Sequence, residues 1–172
     1  IPLRLVGSEM CIRDRYVGGL SKSVATGLRV GFIAAPLEWV KKLERTIMAT
    51  TWNVPGVMSA IAVGWIEDGT VAQLEAQKRQ DARARQALAA QVLKGVPYIS
   101  HPSSYFLWLP LGDEARADQV AMALQREQIS VSTAEPFAVS ATVPHALRLA
   151  LGSVSMAALG EALLKVREAV RW

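Results

Sequence analysis

Two basic side chains, Lys22 and Arg29, lie in one glycine-rich segment and have the types best suited to chemistry. A lysine amine condenses with an aldehyde when it is positioned and partly desolvated. A planar guanidinium holds a phosphate through paired charge-assisted hydrogen bonds. Because Gly27 lies in the loop between them, Arg29 can return to the pocket of Lys22, and the Gly18-Gly19 turn can add N–H donors. Taken singly, the same residues would be a surface lysine and a strand-edge arginine.

A third basic residue, Arg148, lies in the partly alternating segment 145–152 (HALRLALG). A bidentate guanidinium binds and orients a planar carboxylate. The alternatives for Arg148 are exposure on a strand or an ion pair with an acid such as Glu135. The two histidines, His101 and His145, lack metal-ligand spacing, so no metal site is predicted.

The first half of the chain contains the elements that must position Lys22 and Arg29. Residues 16–20 predict a strand that ends in a turn. The apolar run 28–35 predicts a strand buried on both faces of a parallel or mixed sheet. Apolar residues at helical spacing then predict two helices, 37–50 and 57–66. The charged stretch 70–94 predicts one long helix, which is suited to connect two domains.

The second half predicts a small α/β unit around Arg148, with a sheet and covering helices. Two long segments carry helical apolar patterns. The predicted strands are 98–100, 104–109, 129–132 and 146–151, and the predicted helices are 113–127 and the segment from 155 onward.

The composition is that of a globular chain of 172 residues, 51% hydrophobic, with a net charge of +4. The densest basic group, Lys78, Arg79, Arg83 and Arg85, is interleaved with acids and is interpreted as a solvated helix face rather than a nucleic-acid surface. One cysteine excludes an internal disulfide framework, and no apolar run has the length of a membrane span. We therefore expect a cytoplasmic protein.

The segment 18–31 (GGLSKSVATGLRVG) resembles the cofactor-lysine motif of class I/II aminotransferases, the fold-type-I enzymes that use pyridoxal 5′-phosphate (PLP). The resemblance implies that Lys22 carries PLP as a Schiff base and moves the substrate α-proton, and that Arg29 binds the phosphate. It also implies that Arg148 grips the α-carboxylate of an amino acid or 2-oxo acid substrate. The family has a hydroxyl residue where this chain has Gly19, which puts one phosphate contact in doubt.

The resemblance also implies an α/β fold that is the C-terminal part of the aminotransferase architecture. Residues 16–68 would end the large-domain sheet, 69–95 would form the connecting helix, and 96–172 would form the small domain. Residues 1–15 are interpreted as a non-native lead, because 6–15 resembles a translated sequencing adapter. Segments ahead of residue 16 would supply the pyridine-nitrogen partner, the stacking aromatic and a phosphate loop, so this fragment alone is expected to be inactive.

Two classes of whole protein remain open, and a third possibility is a truncated and inactive gene fragment. One is a free-standing, homodimeric aminotransferase. The other is a transcriptional regulator of the GntR/MocR type, in which a separate N-terminal winged-helix domain binds DNA and the aminotransferase-like domain serves as effector domain. The segments 18–36 and 145–154 resemble the sequences of these regulators most. A basic helix-turn-helix domain encoded upstream of Tyr16 would favour the regulator.

Overall fold

The structure is a computed structural model that describes residues 15–112 and 115–170. Two compact units divide the chain, one ending at Lys78 and one beginning at Arg79. The strands are β1 (Tyr16–Gly19), β2 (Gly31–Ala34), β3 (Ile99–Ser100), β4 (Phe106–Pro110), β5 (Ser132–Thr133) and β6 (Ala146–Ala150). The helices are α1 (Leu20–Ser23), α2 (Leu37–Thr50), α3 (Gly56–Glu67), α4 (Thr70–Val92), α5 (Ala117–Arg126) and α6 (Met156–Ala169).

The first unit is organised around an antiparallel hairpin of β1 and β2. Gly19 pairs with Gly31 at one end of the hairpin, and Tyr16 pairs with Ala34 at the other. The glycines permit this close approach, because a Cβ on Gly18 would lie 2.6 Å from the Phe32 ring. A small apolar cluster packs beside the hairpin, and its buried members are Leu20, Val24, Leu28 and Ala62.

The predicted environment of β2 was wrong. Residues 28–35 were expected to form a strand buried on both faces of a parallel or mixed sheet, but all four residues of Gly31–Ala34 are exposed and β2 pairs antiparallel with β1. The early part of the apolar run is not strand, because Thr26–Leu28 forms a 3-10 turn that buries Leu28. An apolar run indicates a preference for burial, but it does not say which element provides the cover.

The second unit has a four-stranded antiparallel sheet in the order β3-β4-β6-β5. One face of the two central strands carries the core, with Leu107 and Leu109 of β4 beside Leu147 and Leu149 of β6. Burying one such leucine contributes roughly 1.5–3 kcal/mol relative to exposure. Residues of α4, α5 and α6 complete the core, and the opposite face of the sheet carries Phe106, Trp108 and Arg148.

Helix α6 begins where the sequence predicts. Ser155 is its N-cap, and the Ser155 Oγ accepts a hydrogen bond of 3.3 Å from the Ala158 N–H. Its apolar stripe buries Leu159, Leu163 and Val166, while Met156 at the first turn is exposed.

A polar network within the second unit ties α4 to the turn after β6. The Arg85 guanidinium donates to the carbonyl oxygens of Leu151 and Val154, each at 2.7 Å, and to Asp81 Oδ2 at 2.8 Å. The Tyr105 hydroxyl donates to the same Asp81 oxygen at 2.8 Å. The expectation that Arg85 belongs to a solvated helix face was therefore wrong, because its side chain is only 12% exposed.

None of the described helices combines the length and the apolarity that crossing a bilayer requires. In the same part of the chain, no three histidine, cysteine, aspartate or glutamate side chains cluster as metal ligands.

Candidate active site

Lys22 and Arg29 lie in the connection between β1 and β2. The Leu20 N–H donates to the Val30 carbonyl oxygen at 3.0 Å, which closes the connection at its base. Lys22 lies in the helical turn α1, and Arg29 follows the 3-10 turn Thr26–Leu28. Both residues therefore occupy the same end of the hairpin.

The connection divides its residues between a buried and an exposed side. Leu20, Val24 and Leu28 recur at intervals of four residues and are each at most 6% exposed. Lys22 and Arg29 lie outside this stripe and are exposed. The apolar stripe thus anchors the connection, while the amine and the guanidinium stay accessible to a ligand.

Arg29 has a left-handed backbone, with φ 51° and ψ 27°. This conformation costs an L-residue with a Cβ roughly 1–2 kcal/mol, and glycine is the residue that adopts it freely. Backbone strain of this kind, retained at a non-glycine residue, points toward function.

The glycine at position 19 has a structural reason. A Cβ built on Gly19 would lie 3.3 Å from the Val30 carbonyl oxygen, which is tighter than an ordinary contact. A hydroxyl residue at this position would require the hairpin to open slightly. Gly19 has no side chain to offer a phosphate, and the close approach of the Val30 carbonyl oxygen disfavours a larger residue at this position.

Arg148 occupies the central strand β6 of the second unit. Its register partners are Trp108 on β4 and Ser132 on β5. The guanidinium carbon lies 3.9 Å from the Phe106 ring centroid and 5.1 Å from the Phe137 ring centroid. These distances are typical of cation–π contacts.

The hydrogen-bonding capacity of Arg148 is unused by the residues that the structure describes. The side chain is half-buried, yet within residues 15–112 and 115–170 it makes neither an ion pair nor a hydrogen bond. In particular, the alternative pairing with Glu135 is not formed. A half-buried guanidinium with free N–H donors is suited to bind a carboxylate from outside the chain.

The sequence analysis identified neither Phe106 nor Phe137 as a neighbour of Arg148. Phe137 is 50% exposed, so packing does not account for its position. The available signal was the two-residue period of β4, which places Phe106 on the same face as Arg148 once the register is known. That register could not be read from the sequence.

A comparison with protein families matches residues 7–166 to the family model for aminotransferase class I and II. The chain belongs to the class I and II aminotransferase family. The match begins within the segment 1–15, and the non-native origin of that segment stays a prediction. The α/β aminotransferase fold that the sequence predicted is thereby confirmed.

Relatives of this aminotransferase-family chain fall into two groups. The 2-aminoadipate transaminase of Thermus thermophilus is 24% identical over 160 residues, which are 91% of this chain and 40% of the transaminase. An uncharacterized HTH-type transcriptional regulator of Bacillus subtilis, YdfD, is 29% identical over 101 residues, which are 56% of this chain and 21% of the regulator. The chain thus spans well under half the length of either relative.

Solved aminotransferases share the fold. The kynurenine aminotransferase of Pyrococcus horikoshii superposes with a TM-score of 0.85 at 18% identity, covering 95% of this chain and 42% of that one. The α-aminoadipate aminotransferase LysN of Thermus thermophilus, solved with N-(5′-phosphopyridoxyl)-L-leucine, gives a TM-score of 0.79 at 19% identity, over 91% of this chain and 41% of that one.

The donor set of the β1–β2 connection fits PLP. PLP carries an aldehyde and a phosphate, and the connection presents one exposed amine and one exposed guanidinium. The left-handed turn at Arg29 returns the chain from the connection toward β2, next to the closing Leu20–Val30 hydrogen bond. The residues present therefore supply both functional groups that the cofactor needs from this segment.

Proposed function

We propose that this chain is the lysine-bearing and carboxylate-binding part of a PLP-dependent aminotransferase. Lys22 would hold the cofactor through its Nζ, Arg29 would bind the phosphate, and Arg148 would bind the substrate α-carboxylate. The observation that carries the proposal is the β1–β2 connection, in which an apolar stripe is buried and the two basic side chains remain accessible.

Each residue contributes a separate physical effect to transamination. When bound, PLP supplies the aldehyde that takes up the amino group and the conjugated ring that accepts electrons from the substrate. The amine of Lys22 would hold the cofactor and would act as the base that moves the substrate α-proton. Arg148 fixes the carboxylate, so that the α-carbon is presented in one orientation. The substrates are then an amino acid and a 2-oxo acid, and the intact protein is proposed to be a cytoplasmic homodimer.

The experiment is reductive trapping. The chain is incubated with PLP, reduced with borohydride and digested, and the modified lysine is located by mass spectrometry. We expect modification at Lys22 in preference to the exposed pair Lys41 and Lys42, and Lys22→Arg, which keeps the charge, should remove it. Modification spread evenly over all lysines would contradict the proposal.

Titration of PLP is part of the same test. We propose that the chain alone binds PLP weakly and turns over little substrate, because a pyridine-nitrogen partner is needed for the cofactor to act as an electron sink. That partner would be a carboxylate, and the basic residues Lys22, Arg29 and Arg148 cannot supply one. Tight stoichiometric binding would contradict this part of the proposal while leaving the role of Lys22 in place.

A second candidate function is the effector domain of a DNA-binding regulator. The observation that favours it is the group of HTH-type regulators among the relatives, at 22–29% identity. In that case PLP binding at Lys22 would serve sensing, and DNA would be bound by a separate N-terminal domain. The coding sequence upstream of Tyr16 decides between the two, because a basic helix-turn-helix domain there would support the regulator.

A further inference from the structure

The environment of Arg148 carries an inference that rests on the proposed function and deepens it. Phe106 and Arg148 lie on the face of the sheet opposite the leucine core. The β4–β6 register pairs Phe106 with Ala150, two residues beyond Arg148, so the phenylalanine is a diagonal neighbour of the arginine. Phe137 reaches the same guanidinium from the 3-10 turn Glu135–Phe137, which follows β5.

We propose that Phe106 and Phe137 are positioning residues that hold the Arg148 guanidinium for carboxylate binding. Aromatic rings attract a guanidinium through its flat face, whereas its N–H donors point outward in the plane. A ring contact therefore orients the group without consuming a donor. A carboxylate partner within the chain would also hold Arg148, but it would occupy the donors that the substrate needs.

Ordering the arginine in advance lowers the cost of binding. A long, flexible arginine loses rotamer freedom when it is fixed by a ligand, and restriction before binding reduces that loss. The same contact accounts for the half-exposed position of Phe137, because its ring lies against the guanidinium and not in the leucine core. Phe106 and Phe137 thus act on the substrate through Arg148.

The test combines a ligand-free and a ligand-dependent measurement on the full chain. The ¹⁵N relaxation and chemical shift of the Arg148 Nε–Hε group report its mobility and its ring contacts. Titration with L-norleucine and with L-norleucinamide, at millimolar concentrations, isolates the contribution of the carboxylate. The variants are Phe106→Leu, Phe137→Leu and the ring-retaining Phe137→Tyr, with Val139→Ala as a matched control at an exposed apolar residue of the same segment.

We expect each leucine variant to raise the mobility of the Arg148 Nε, remove its ring-current shift and weaken L-norleucine binding roughly threefold to tenfold. Phe137→Tyr and Val139→Ala should resemble the wild type, and L-norleucinamide binding should not change. Phe137 is the more decisive site, because its exposed ring can be removed without disturbing the sheet.

Failure of the inference and failure of the proposed function would give different experimental results. If Arg148→Met removes the preference for L-norleucine but the leucine variants change neither that preference nor the Nε signal, the positioning role is overturned and the carboxylate role stands. If Arg148→Met leaves the preference unchanged, or the wild type has none, the carboxylate role fails and the inference fails with it.

Discussion

At the scale of single residues, buried apolar side chains and the candidate basic side chains lie within a few residues of one another in the chain. In the β1–β2 connection, Leu20 is buried and Lys22 is exposed only two residues later. On β6, Leu147 and Leu149 are buried on one face, and Arg148 contacts two aromatic rings on the other. Each candidate side chain thus lies within a few residues of buried apolar neighbours in the sequence.

The residue types at the candidate site were predictable, but their surroundings were not. Lys22, Arg29 and Arg148 could be named because they lie in local motifs whose residue types match the chemistry. The rings beside Arg148 come from β4 and from the segment after β5, and their proximity depends on long-range strand register. Local sequence does not encode that register in a readable form.

Gly152 offers a prediction at the same scale. A Cβ at this position would lie 2.9 Å from the Tyr105 ring, whose hydroxyl is held by Asp81. Because the ring cannot move freely, Gly152→Ala should lower the free energy of unfolding by about 1–3 kcal/mol, as overpacking does. Urea unfolding followed by tryptophan fluorescence measures the change.

The matched control is Gly160→Ala on α6. A Cβ there meets Leu88 at an ordinary 3.9 Å, so the helix should gain roughly 0.5–1 kcal/mol from the better helix former. Equal effects of the two substitutions would show that Tyr105 is not held as described.

At the scale of secondary-structure elements, helices were more predictable than strands. The boundaries 37–50 of α2 follow from local apolar spacing, flanking prolines and turn residues, and the structure reproduces them. The strand predicted at 129–132 begins only at Ser132, because its pairing with β6 decides where it starts. Strand limits and burial depend on partners that are distant in sequence, whereas helix limits depend on neighbours.

The network that ties α4 to the segment after β6 makes stability depend on pH. Donation from Arg85 lowers the pKa of Asp81 and is the largest effect on it. Burial opposes this by raising the pKa, and donation from the Tyr105 hydroxyl, a smaller effect, lowers it, so that the net pKa lies below the ordinary value. A carboxyl whose pKa is depressed by folding stabilises the folded state above its unfolded pKa, and this stabilisation is lost as pH falls through the lower folded value. We therefore expect a loss of stability below about pH 4.

The alkaline side has the opposite sign. Burial, followed by donation to Asp81, raises the pKa of Tyr105 above its ordinary value. The stabilisation that the protonated Tyr105 hydroxyl gives the folded state is fully present below about pH 10. It is lost as pH rises through the raised pKa of the folded state. Thermal melts of the wild type, Asp81→Asn and Tyr105→Phe across pH check both limits. Asp81→Asn should reduce the fall in melting temperature at acid pH. A fall as steep as that of the wild type would contradict the assignment.

At the scale of the whole molecule, the two units carry different parts of one proposed chemistry. The first unit carries Lys22 and Arg29, and the second carries Arg148 with its two rings. The chain spans 40% of the 2-aminoadipate transaminase and 42% of the kynurenine aminotransferase with which it aligns. The proposed activity is therefore a property of the intact protein, whereas the chemistry of each basic residue can be tested in this chain.

The most direct measurement compares PLP with pyridoxal, which has the same aldehyde and no phosphate, in trapping at Lys22. If Lys22 and Arg29 engage one phosphorylated aldehyde, Lys22 of the wild type should be labelled by PLP in preference to pyridoxal. Arg29→Met should reduce that preference about tenfold. Labelling of the variant by pyridoxal should stay unchanged. Equal labelling by the two aldehydes in the wild type, or a preference for PLP that survives Arg29→Met, would contradict the account.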